Sequence, residues 1–336
     1  MAVGFPTKAN WAAGDILTAA QMDDLAGTLN TVQSPLGNAA GKNKIINGDF
    51  GVWQRGTSFS VASTTAYTAD RWFITSFSDT VTVSRQTFTP GTAPVAGYEG
   101  SYFLQMVNGS TTVGYPTIEQ RIEDVRTYAG QTVTLSFWAK ANVAVTGTAS
   151  MGQNFGSGGS GSVSVGSTSI ALTTSWQRFT YTVAVPSITG KTIGTNSYFQ
   201  VQPFYFSPSA AANTIQIWGV QLEAGSTATN FQSATGTVQG ELAACQRYYW
   251  QSEATSQYFG GGTVTSGQSY WATCKLPVTM RVAPTVTITS TDNGNFPSTA
   301  GTAIRITTNS FVEQRNANGT TTSGYFGSSV IATSEL

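Results

Sequence analysis

A set of carboxylate side chains could in principle support hydrolysis, but no histidine accompanies them. The sequence contains 0 His, which removes the usual general base and the Ser-His and Cys-His nucleophile pairs. Glycoside hydrolysis needs only two carboxylates. The candidates are Asp70, Glu99, Glu119, Glu123, Asp124 and Glu223.

Three of the charged residues alternate along one short segment. Glu119, Arg121 and Glu123 occur in TIEQRIED, and a strand there would place all three on one face because successive side chains point to opposite sides. Arg121 would then lie between two acids and neutralise them. This spacing is typical of a salt-bridge ladder, so we expect a protein that is not an enzyme.

Sugar binding without catalysis requires an aromatic ring beside amides, carboxylates or Arg. In TVTLSFWAK the apolar side chains alternate from Val133 to Ala139, which leaves Trp138 and Lys140 on the opposite, polar face. We therefore predict that Trp138 is a sugar platform with Lys140 beside it. The alternative is that Trp138 packs under a loop or against a sister subunit.

A second polar and aromatic segment follows in FQVQPFYF. We expect it to form a strand next to the one that holds Trp138, with Gln200 and Gln202 supplying hydrogen bonds and Tyr205 a second ring. Pro203 leaves the face assignment open because proline interrupts regular pairing. These residues complete the predicted glycan site.

The strands that position these residues are recognisable from alternating patterns. TVTVSRQT from Thr80, the segment with Trp138, and FTYTVAV from Phe179 all alternate, which is typical of half-buried antiparallel strands. Parallel sheets would need intervening helices, and no convincing one occurs between them. We predict a mainly β protein built on an antiparallel sandwich of jelly-roll type.

The chain is long enough for two cores, with 336 residues. We divide it into an N-terminal arm, short helix and linker at 1–43, a sandwich at 44–235, and a distal β module at 236–336. The Gly- and Ser-rich stretch 147–169 is interpreted as a hairpin tip, with a ligand loop as the alternative. In the distal module, SFVEQRNANGTTTSGYF from Ser310 predicts another hairpin.

Composition argues against nucleic acid and membrane partners. Lys and Arg number 16 and Asp and Glu 16, for a net charge of +0, so no basic surface is expected for a phosphate backbone. No apolar stretch approaches the roughly 20 residues that span a bilayer, and the N-terminus lacks a signal-peptide pattern. The two cysteines, Cys245 and Cys274, could form one bridge, but assembly in a reducing compartment favours free thiols.

The N-terminal part contains a short helical pattern. Thr18 and Gln21 form a T-x-x-Q capping box. The apolar positions after it are spaced three, four and three, as in a two-heptad coiled-coil seam: Met22, Leu25, Leu29 and Val32. The alternative is one amphipathic helix that lies on its own globular domain, but the linker after it offers no core, so we favour a seam between subunits.

Six phrases occur in a consistent order: NKIINGDFGVWQRGTSFS, YTADRWF, QRIEDVRTYAGQTVTLSFWAKA, TSWQRFTYTV, IWGVQLEAGSTATNFQ and ELAACQRYY. This ordered set resembles the sandwich module of many bacteriophage fibre and minor tail proteins, which is similar in turn to galactose-binding-like carbohydrate-binding modules. The tryptophans in these phrases, Trp53, Trp72 and Trp218, are expected to be buried anchors.

The resemblance implies a virion structural protein that assembles in the host cytoplasm, forms a homotrimer and attaches to host cell-surface polysaccharide. The extended arm with Phe5 and Trp11 is interpreted as the peptide that docks onto other phage tail or virion proteins. Aromatic residues such as Tyr248, Tyr249 and Trp250 are expected to meet across subunits. The alternatives are a head-decorating fibre or adaptor that makes only protein contacts and, from another class, a polysaccharide depolymerase.

The same resemblance implies a structural calcium ion, since galactose-binding-like modules often hold one through an early turn and a late acidic residue. Asn47 and Asp49 in NGDF would supply the early part. However, Gly219 in IWGVQ stands where those modules often have Asp, so this chain departs from the pattern at the late position. No other cofactor is expected.

Overall fold

The structure is a computed structural model that describes residues 41–77, 80–95, 98–109, 116–206, 212–253 and 261–336. The predicted docking residues and the predicted helical seam lie outside the described residues: Phe5, Trp11, Met22, Leu25, Leu29 and Val32. Those predictions therefore stay predictions.

Two six-stranded antiparallel sheets form a sandwich, as the alternating patterns predicted. Sheet 1 has the order β1-β4-β5-β12-β7-β10, with strands at Ser58–Ala62 (β1), Thr80–Thr87 (β4), Tyr102–Asn108 (β5), Thr132–Ala141 (β7), Gln177–Ala184 (β10) and Asn213–Ala224 (β12). Sheet 2 has the order β2-β3-β6-β11-β8-β9, with strands at Thr65–Tyr67 (β2), Phe73–Thr75 (β3), Thr117–Glu123 (β6), Val145–Asn154 (β8), Val163–Leu172 (β9) and Tyr198–Phe206 (β11). A 3-10 helix at Val125–Tyr128 follows β6.

The core lies between the two sheets, where alternate side chains of each strand meet. In β7, Val133, Leu135 and Phe137 are fully buried and belong to this core. Opposite them in sheet 2, Phe199 and Val201 of β11 are also fully buried. The expected buried anchors are confirmed, since Trp53, Trp72 and Trp218 are respectively 8%, 0% and 0% exposed.

The Gly- and Ser-rich stretch is a hairpin, as interpreted, but most of it is strand. β8 and β9 pair antiparallel from Val145 to Gln153, so the tip is only 155–162. Backbone hydrogen bonds hold this tip to the segment before β11, from Ser157 N to Thr195 O (2.9 Å) and from Gly194 N to Phe155 O (2.7 Å).

The rest of the described chain forms one helix followed by a smaller β module. The helix α1 spans Val238–Gln246, and its N-cap residue Thr237 accepts a hydrogen bond from Gly240 N at 3.0 Å. Seven strands follow: Tyr249–Gln251 (β13), Gly262–Val264 (β14), Ser269–Lys275 (β15), Thr285–Gly294 (β16), Thr302–Ile304 (β17), Ser310–Asn316 (β18) and Thr321–Thr333 (β19). Within the described parts of the chain, no helix is long and apolar enough to cross a membrane.

The hairpin predicted from Ser310 is wrong. β18 pairs with β15 and β17, whereas β19 pairs with β13, β14 and β16, so the chain passes from one sheet to another between them. The turn bonds to other segments and not to itself: Ala317 N donates to Gln268 O (2.9 Å) and Asn318 N to Asn295 O (3.0 Å). The two facing sheets enclose two small cores.

The aromatic residues expected between subunits instead join the two modules of one chain. Tyr248 and Tyr249 are 3% and 6% exposed, and the guanidinium groups of Arg71 and Arg55 each lie 3.5 Å from the centre of one of these rings. Both arginines also pair with Glu335 near the end of the chain. The prediction was wrong because these rings face the sandwich and not solvent.

Trp250 is likewise turned inward, since it packs against the core formed by residues of β15, β18 and β19. No disulfide joins Cys245 and Cys274, and both thiols are buried, as favoured from the sequence. Burial raises the pKa of the Cys245 thiol well above its ordinary value, with the nearby Asp70 charge as the next contribution. Cys245 is thus kept in its neutral, unreactive form.

Candidate functional site on the second sheet

Trp138 lies on the face of β7 that the alternation predicted, but the platform prediction is wrong. Its side chain is only 8% exposed, because it packs in an aromatic cluster with Trp218 (ring centres 5.6 Å apart) and Phe231. Arg178 lies 4.7 Å from the ring centre. Gly219 adopts φ +64°, and a Cβ there would lie 2.9 Å from the Trp138 ring.

Segments beside sheet 1 cover this cluster and complete it. Phe88 and Tyr98 contact Trp218 at ring-centre distances of 6.0 Å and 5.3 Å, and Phe231 contacts it at 5.0 Å. A sugar therefore cannot reach the rings at the middle of sheet 1. The alternative that Trp138 packs under a loop is the one observed.

Lys140 is half-buried at the margin of the same face. Its Nζ lies 5.4 Å from the ring centre of Trp176. With Thr174 and Gln216, Lys140 lines a cavity of about 260 Å³. Lys140 is thus not part of a site built around Trp138.

The other predicted sugar ligands are on the opposite sheet. β7 pairs with β10 and β12, whereas β11, which holds Gln200, Gln202 and Tyr205, pairs with β6 and β8 in sheet 2. The expectation that these residues neighbour Trp138 is wrong, since antiparallel connections send consecutive patterned segments to different sheets of a sandwich. Both glutamines do lie together on the outer face of sheet 2.

A continuous polar ladder crosses three strands on that outer face. Glu119 of β6 accepts hydrogen bonds from Arg121 Nε at Oε1 (2.8 Å) and from Gln200 and Gln202 Nε2 at Oε2 (2.5 and 3.0 Å). Ser150 of β8 donates its hydroxyl to Gln202 Oε1 at 2.6 Å. Glu119 is 3% exposed while the other four are half-buried, so the ladder has a buried acceptor and an accessible rim.

Aromatic rings line the ladder at both ends. The Arg121 guanidinium lies 4.3 Å from the ring centre of Phe73 and 4.8 Å from that of Tyr198. Tyr67 contacts Phe73 edge-on at 5.1 Å. Tyr205 lies further along β11, and all four rings are half-buried.

The charges on this face cancel. Burial alone would lower the pKa of Arg121, but the hydrogen bond and charge of Glu119 outweigh it and raise that pKa. Arg121 therefore stays charged beside its partner, and its Nη1 also donates to Leu336 O at 2.7 Å. Glu119 and Arg121 thus form a neutralised pair on this face.

The floor and one wall of this face come from small or distant residues. Gly152 of β8 lies across from Gln200, and a Cβ there would approach Gln200 Oε1 to 3.2 Å. On the β2 and β3 side, the Tyr67 hydroxyl donates to Leu336 O at 2.8 Å. Residues at the end of the chain thus form a wall beside the ladder.

The predicted Glu119, Arg121 and Glu123 ladder is only partly correct. All three belong to one strand face of β6, but Glu123 pairs with Arg247 (2.9 Å) and accepts from the Tyr248 hydroxyl (3.0 Å). Glu123 therefore contributes to the contact between the modules, and Arg121 neutralises Glu119 alone.

Each candidate catalytic carboxylate is engaged by a partner. The ion pairs are Asp70 with Arg55 (2.8 Å), Glu119 with Arg121 (2.8 Å), Glu123 with Arg247 (2.9 Å), Asp124 with Arg126 (3.0 Å) and Glu223 with Lys42 (2.8 Å). Glu99 accepts from Gly91 N at 2.6 Å.

The residues implied for calcium do not fit a metal ion. Asn47 Oδ1 accepts from Val52 N (2.9 Å), and its Nδ2 donates to Val52 O (2.9 Å) and Asp70 O (3.0 Å), so its amide braces the turn. Asp49 Oδ1 accepts from Gly51 N at 3.3 Å. Within the described residues, no group of three or more His, Cys, Asp or Glu side chains could hold a metal ion.

Sequence reasoning did not connect Glu119 with the two glutamines, and it missed Tyr198 and Phe73. A usable signal was present, because Tyr198, Gln200 and Gln202 alternate in β11 just as Glu119 and Arg121 alternate in β6. Two such polar and aromatic alternations in adjacent strands predict one mixed face.

Comparisons with known proteins concern the fold alone. No protein-family model matches the sequence, and no curated protein matches it. A family 11 carbohydrate-binding module of the Clostridium thermocellum cellulase Lic26A-Cel5E aligns at 16% identity over 48% of this chain and 91% of that one (TM-score 0.32). The cellulose-binding domain of Cellulomonas fimi β-1,4-glucanase C aligns at 20% identity over 43% of this chain and 99% of that one (TM-score 0.29). The enzymatically active domain of bacteriophage CBA120 tailspike protein 4 aligns at 16% identity over 55% of this chain and 22% of that one (0.33). The strands and their pairing show a mainly β protein built on an antiparallel sandwich.

Proposed function

We propose that this chain is a non-catalytic glycan-binding protein and that a saccharide binds across the outer face of sheet 2. The observation that supports this most is the arrangement around Glu119, where Arg121, Gln200 and Gln202 converge on one carboxylate. The same face presents half-buried rings, among them Tyr198.

Saccharide hydroxyl groups both donate and accept hydrogen bonds, and they need planar polar groups that do the same. The amides of Gln200 and Gln202 offer a donor and an acceptor each, and Arg121 offers further donors. The apolar face of a pyranose needs a ring, which Tyr198 or Tyr205 supplies. Because the charges of Glu119 and Arg121 cancel, the face suits a neutral hexose glycan better than an acidic one.

Binding without cleavage fits this geometry better than hydrolysis does. A glycosidase needs two carboxylates on opposite sides of the scissile bond. Glu119 already accepts three hydrogen bonds, and the other acid of the same strand face, Glu123, is paired with Arg247. No second carboxylate faces Glu119 from the described strands β8 and β11.

We infer further that the protein belongs to the surface of a bacteriophage particle as a homotrimeric fibre or tail component and attaches the particle to host surface glycan. The support is the ordered set of fibre-like phrases together with the heptad spacing of Met22, Leu25, Leu29 and Val32. The arm with Phe5 and Trp11 would dock onto the particle. A monomer in light scattering at micromolar concentration would contradict the trimeric assembly.

The experiment that tests glycan binding compares one glutamine on each sheet. Gln202→Ala removes one rim amide from the ladder, whereas Gln105→Ala removes an amide that accepts from Gln216 at 2.8 Å on sheet 1. Titration with a panel of neutral oligosaccharides and purified bacterial surface polysaccharides should show roughly fivefold weaker binding for Gln202→Ala, since one such hydrogen bond contributes about 1 kcal/mol. Gln105→Ala should bind as the wild type does.

Three outcomes contradict parts of the proposal. Equal saccharide affinities of Gln202→Ala and the wild type would exclude the outer face of sheet 2 as the binding site. New reducing ends that disappear in Glu119→Gln would show catalysis. An absence of binding to every saccharide of the panel would favour the adaptor that makes only protein contacts.

A further inference from the structure

Trp271 stands out in the distal module because its side chain is 58% exposed. Among the described residues, it is the tryptophan whose ring is most open to solvent. In β15 the alternate residues Ala272 and Cys274 are buried, so Trp271, Thr273 and Lys275 point outward from the same strand. The Trp271 ring is therefore presented to solvent and is not part of the two small cores of the distal module.

A row of polar side chains crosses the sheet next to this ring. Gln314 of β18 lies directly across from Trp271 of β15, and Thr302 of β17 lies directly across from Gln314. Cross-strand partners in antiparallel sheets point to the same face. Gln314 Nε2 donates to Ser269 Oγ (3.1 Å), and Ser269 Oγ donates to Asn316 Oδ1 (2.8 Å), which holds the amides in place beside the ring.

A cavity of about 260 Å³ opens at the far end of the row. Thr302, Gln314 and Asn316 line it together with Thr299, Gly301 and neighbouring residues. The charge of Arg315 at its floor is neutralised by Glu313 at 2.6 Å, where both side chains are almost fully buried. The cavity therefore offers hydroxyl, amide and backbone groups and no unpaired charge.

We propose that the outer face of β15, β18 and β17 is a second saccharide-binding site, with Trp271 as the stacking platform and the Gln314 to Thr302 row and its cavity as the polar subsite. Adjacent strands are about 4.8 Å apart, so the ring and the cavity are separated by roughly 10 Å. Two linked neutral sugar rings can span this distance. The site shares no residue with sheet 2 and does not depend on the function proposed for it.

A second copy of the chain is a less suitable occupant of this face. A stable protein interface buries about 800 Å² on each partner around an apolar centre. One tryptophan ring supplies at most about 250 Å². Thr273 and Lys275, which flank Trp271 on the strand, are exposed and polar. The mixture of one ring with hydroxyls and amides matches the two sides of a pyranose.

The test uses the full chain and acrylamide quenching of tryptophan fluorescence. Addition of a neutral oligosaccharide from a panel of β- and α-linked hexose tetrasaccharides should protect the wild-type emission from acrylamide, because Trp271 is the exposed ring. Trp271→Ala should lose this protection and bind the same saccharide about fivefold to tenfold more weakly. Trp271→Tyr should recover most of the affinity, since a ring is restored.

Gln202→Ala serves as the reference that separates the two sites. If both proposals hold, Gln202→Ala keeps the acrylamide protection while it loses sheet 2 binding. If Trp271→Ala loses the protection from acrylamide while Gln202→Ala binds saccharide as the wild type does, the result would support the Trp271 site and would exclude sheet 2 as a saccharide-binding site. Protection that persists in Trp271→Ala, or no protection by any saccharide of the panel, would overturn this site. A lower oligomeric state of Trp271→Ala in light scattering, with unchanged saccharide binding, would assign the face to a second copy.

Discussion

The outer faces of the two sheets have similar strand patterns but differ in solvent exposure, since the aromatic rings of sheet 1 are covered and those of sheet 2 are partly exposed. Each places aromatic residues opposite a buried core face, Trp138 and Trp218 on sheet 1 and Tyr198 and Phe73 on sheet 2. On sheet 1, covering segments bury Trp138 and Trp218 to 8% and 0% exposure. On sheet 2 the rings stay half-buried beside a polar ladder. The segments that cover sheet 1 therefore decide which aromatic face stays open to solvent.

The cover on sheet 1 depends on a local irregularity. The register of β12 shifts between Trp218 and Gln221, and Gly219 in this bulge has a left-handed backbone that places it against the Trp138 ring. A bulge redirects side chains, and here it lets Phe231 pack on Trp218. Sheet 2 also has a bulge, between Val201 and Phe204 of β11.

The largest effect is expected from Trp218→Ala on the closed face. A fully buried tryptophan replaced by alanine costs about 3–5 kcal/mol, since the ring contacts of the cluster are lost. Urea unfolding should show this loss, while saccharide affinity on sheet 2 stays within twofold of the wild type. A loss of saccharide affinity, together with a decrease of less than about 1 kcal/mol in the free energy of unfolding, would mean that the cluster is a ligand site after all.

An intermediate effect, dependent on pH, is expected from Glu223 on the same sheet. Burial alone would raise the pKa of Glu223, but hydrogen bonds from Lys42, Thr229 and Gln221 outweigh it and lower the pKa below its ordinary value of 4.5. A lowered folded-state pKa stabilises the protein above the unfolded-state pKa, and this stabilisation is lost as pH falls through the folded-state pKa. Glu223→Gln should therefore lower the free energy of unfolding at pH 7 by about 1.5–3 kcal/mol.

The measurement is urea unfolding of both proteins across the acid range. The difference between wild type and Glu223→Gln should be constant near neutral pH and shrink below pH 4.5. A difference that is the same at pH 3 and pH 7 would show that Glu223 contributes by packing and not by charge.

The smallest effect on stability is expected from Tyr205→Ala on the open face. Its ring is half-buried, so the free energy of unfolding should fall by about 1 kcal/mol or less. The saccharide affinity should fall about fivefold. Tyr205→Phe keeps the ring and should retain the affinity. Strong destabilisation without a change in affinity would place Tyr205 with the structural aromatics and narrow the site to Tyr198.

Much of the fold was predictable because strand alternation is a local property. The pattern in TVTLSFWAK correctly separated the core side chains from Trp138, and it favoured a sandwich over a parallel sheet. The environment of Trp138 was not predictable, since Phe88, Tyr98 and Phe231 reach it through contacts that no local pattern encodes. For the same reason, Gln200 and Gln202 were recognised as polar candidates but assigned to the wrong neighbouring strand.

The distal module shows the same limit. The segment from Ser310 has the composition of a hairpin, yet its turn bonds to Gln268 and Asn295, which lie in loops next to β15 and β16. Tyr248 and Tyr249 were expected to meet across subunits, but the residues that cover them, Arg71 and Arg55, belong to the same chain and occur about 180 to 200 residues earlier in the sequence. Long-range charge and ring contacts of this kind require the structure.

The pairing of Arg71 with Glu335 also affects how the chain unfolds. The guanidinium of Arg71 is buried where the two modules meet, against the ring of Tyr248, and its carboxylate partner is 264 residues away in the distal module. Detachment of the distal module would remove both the Tyr248 ring and the Glu335 carboxylate from Arg71 and would open its guanidinium to solvent. Separation of the two modules is therefore expected to break this ion pair and this ring contact together.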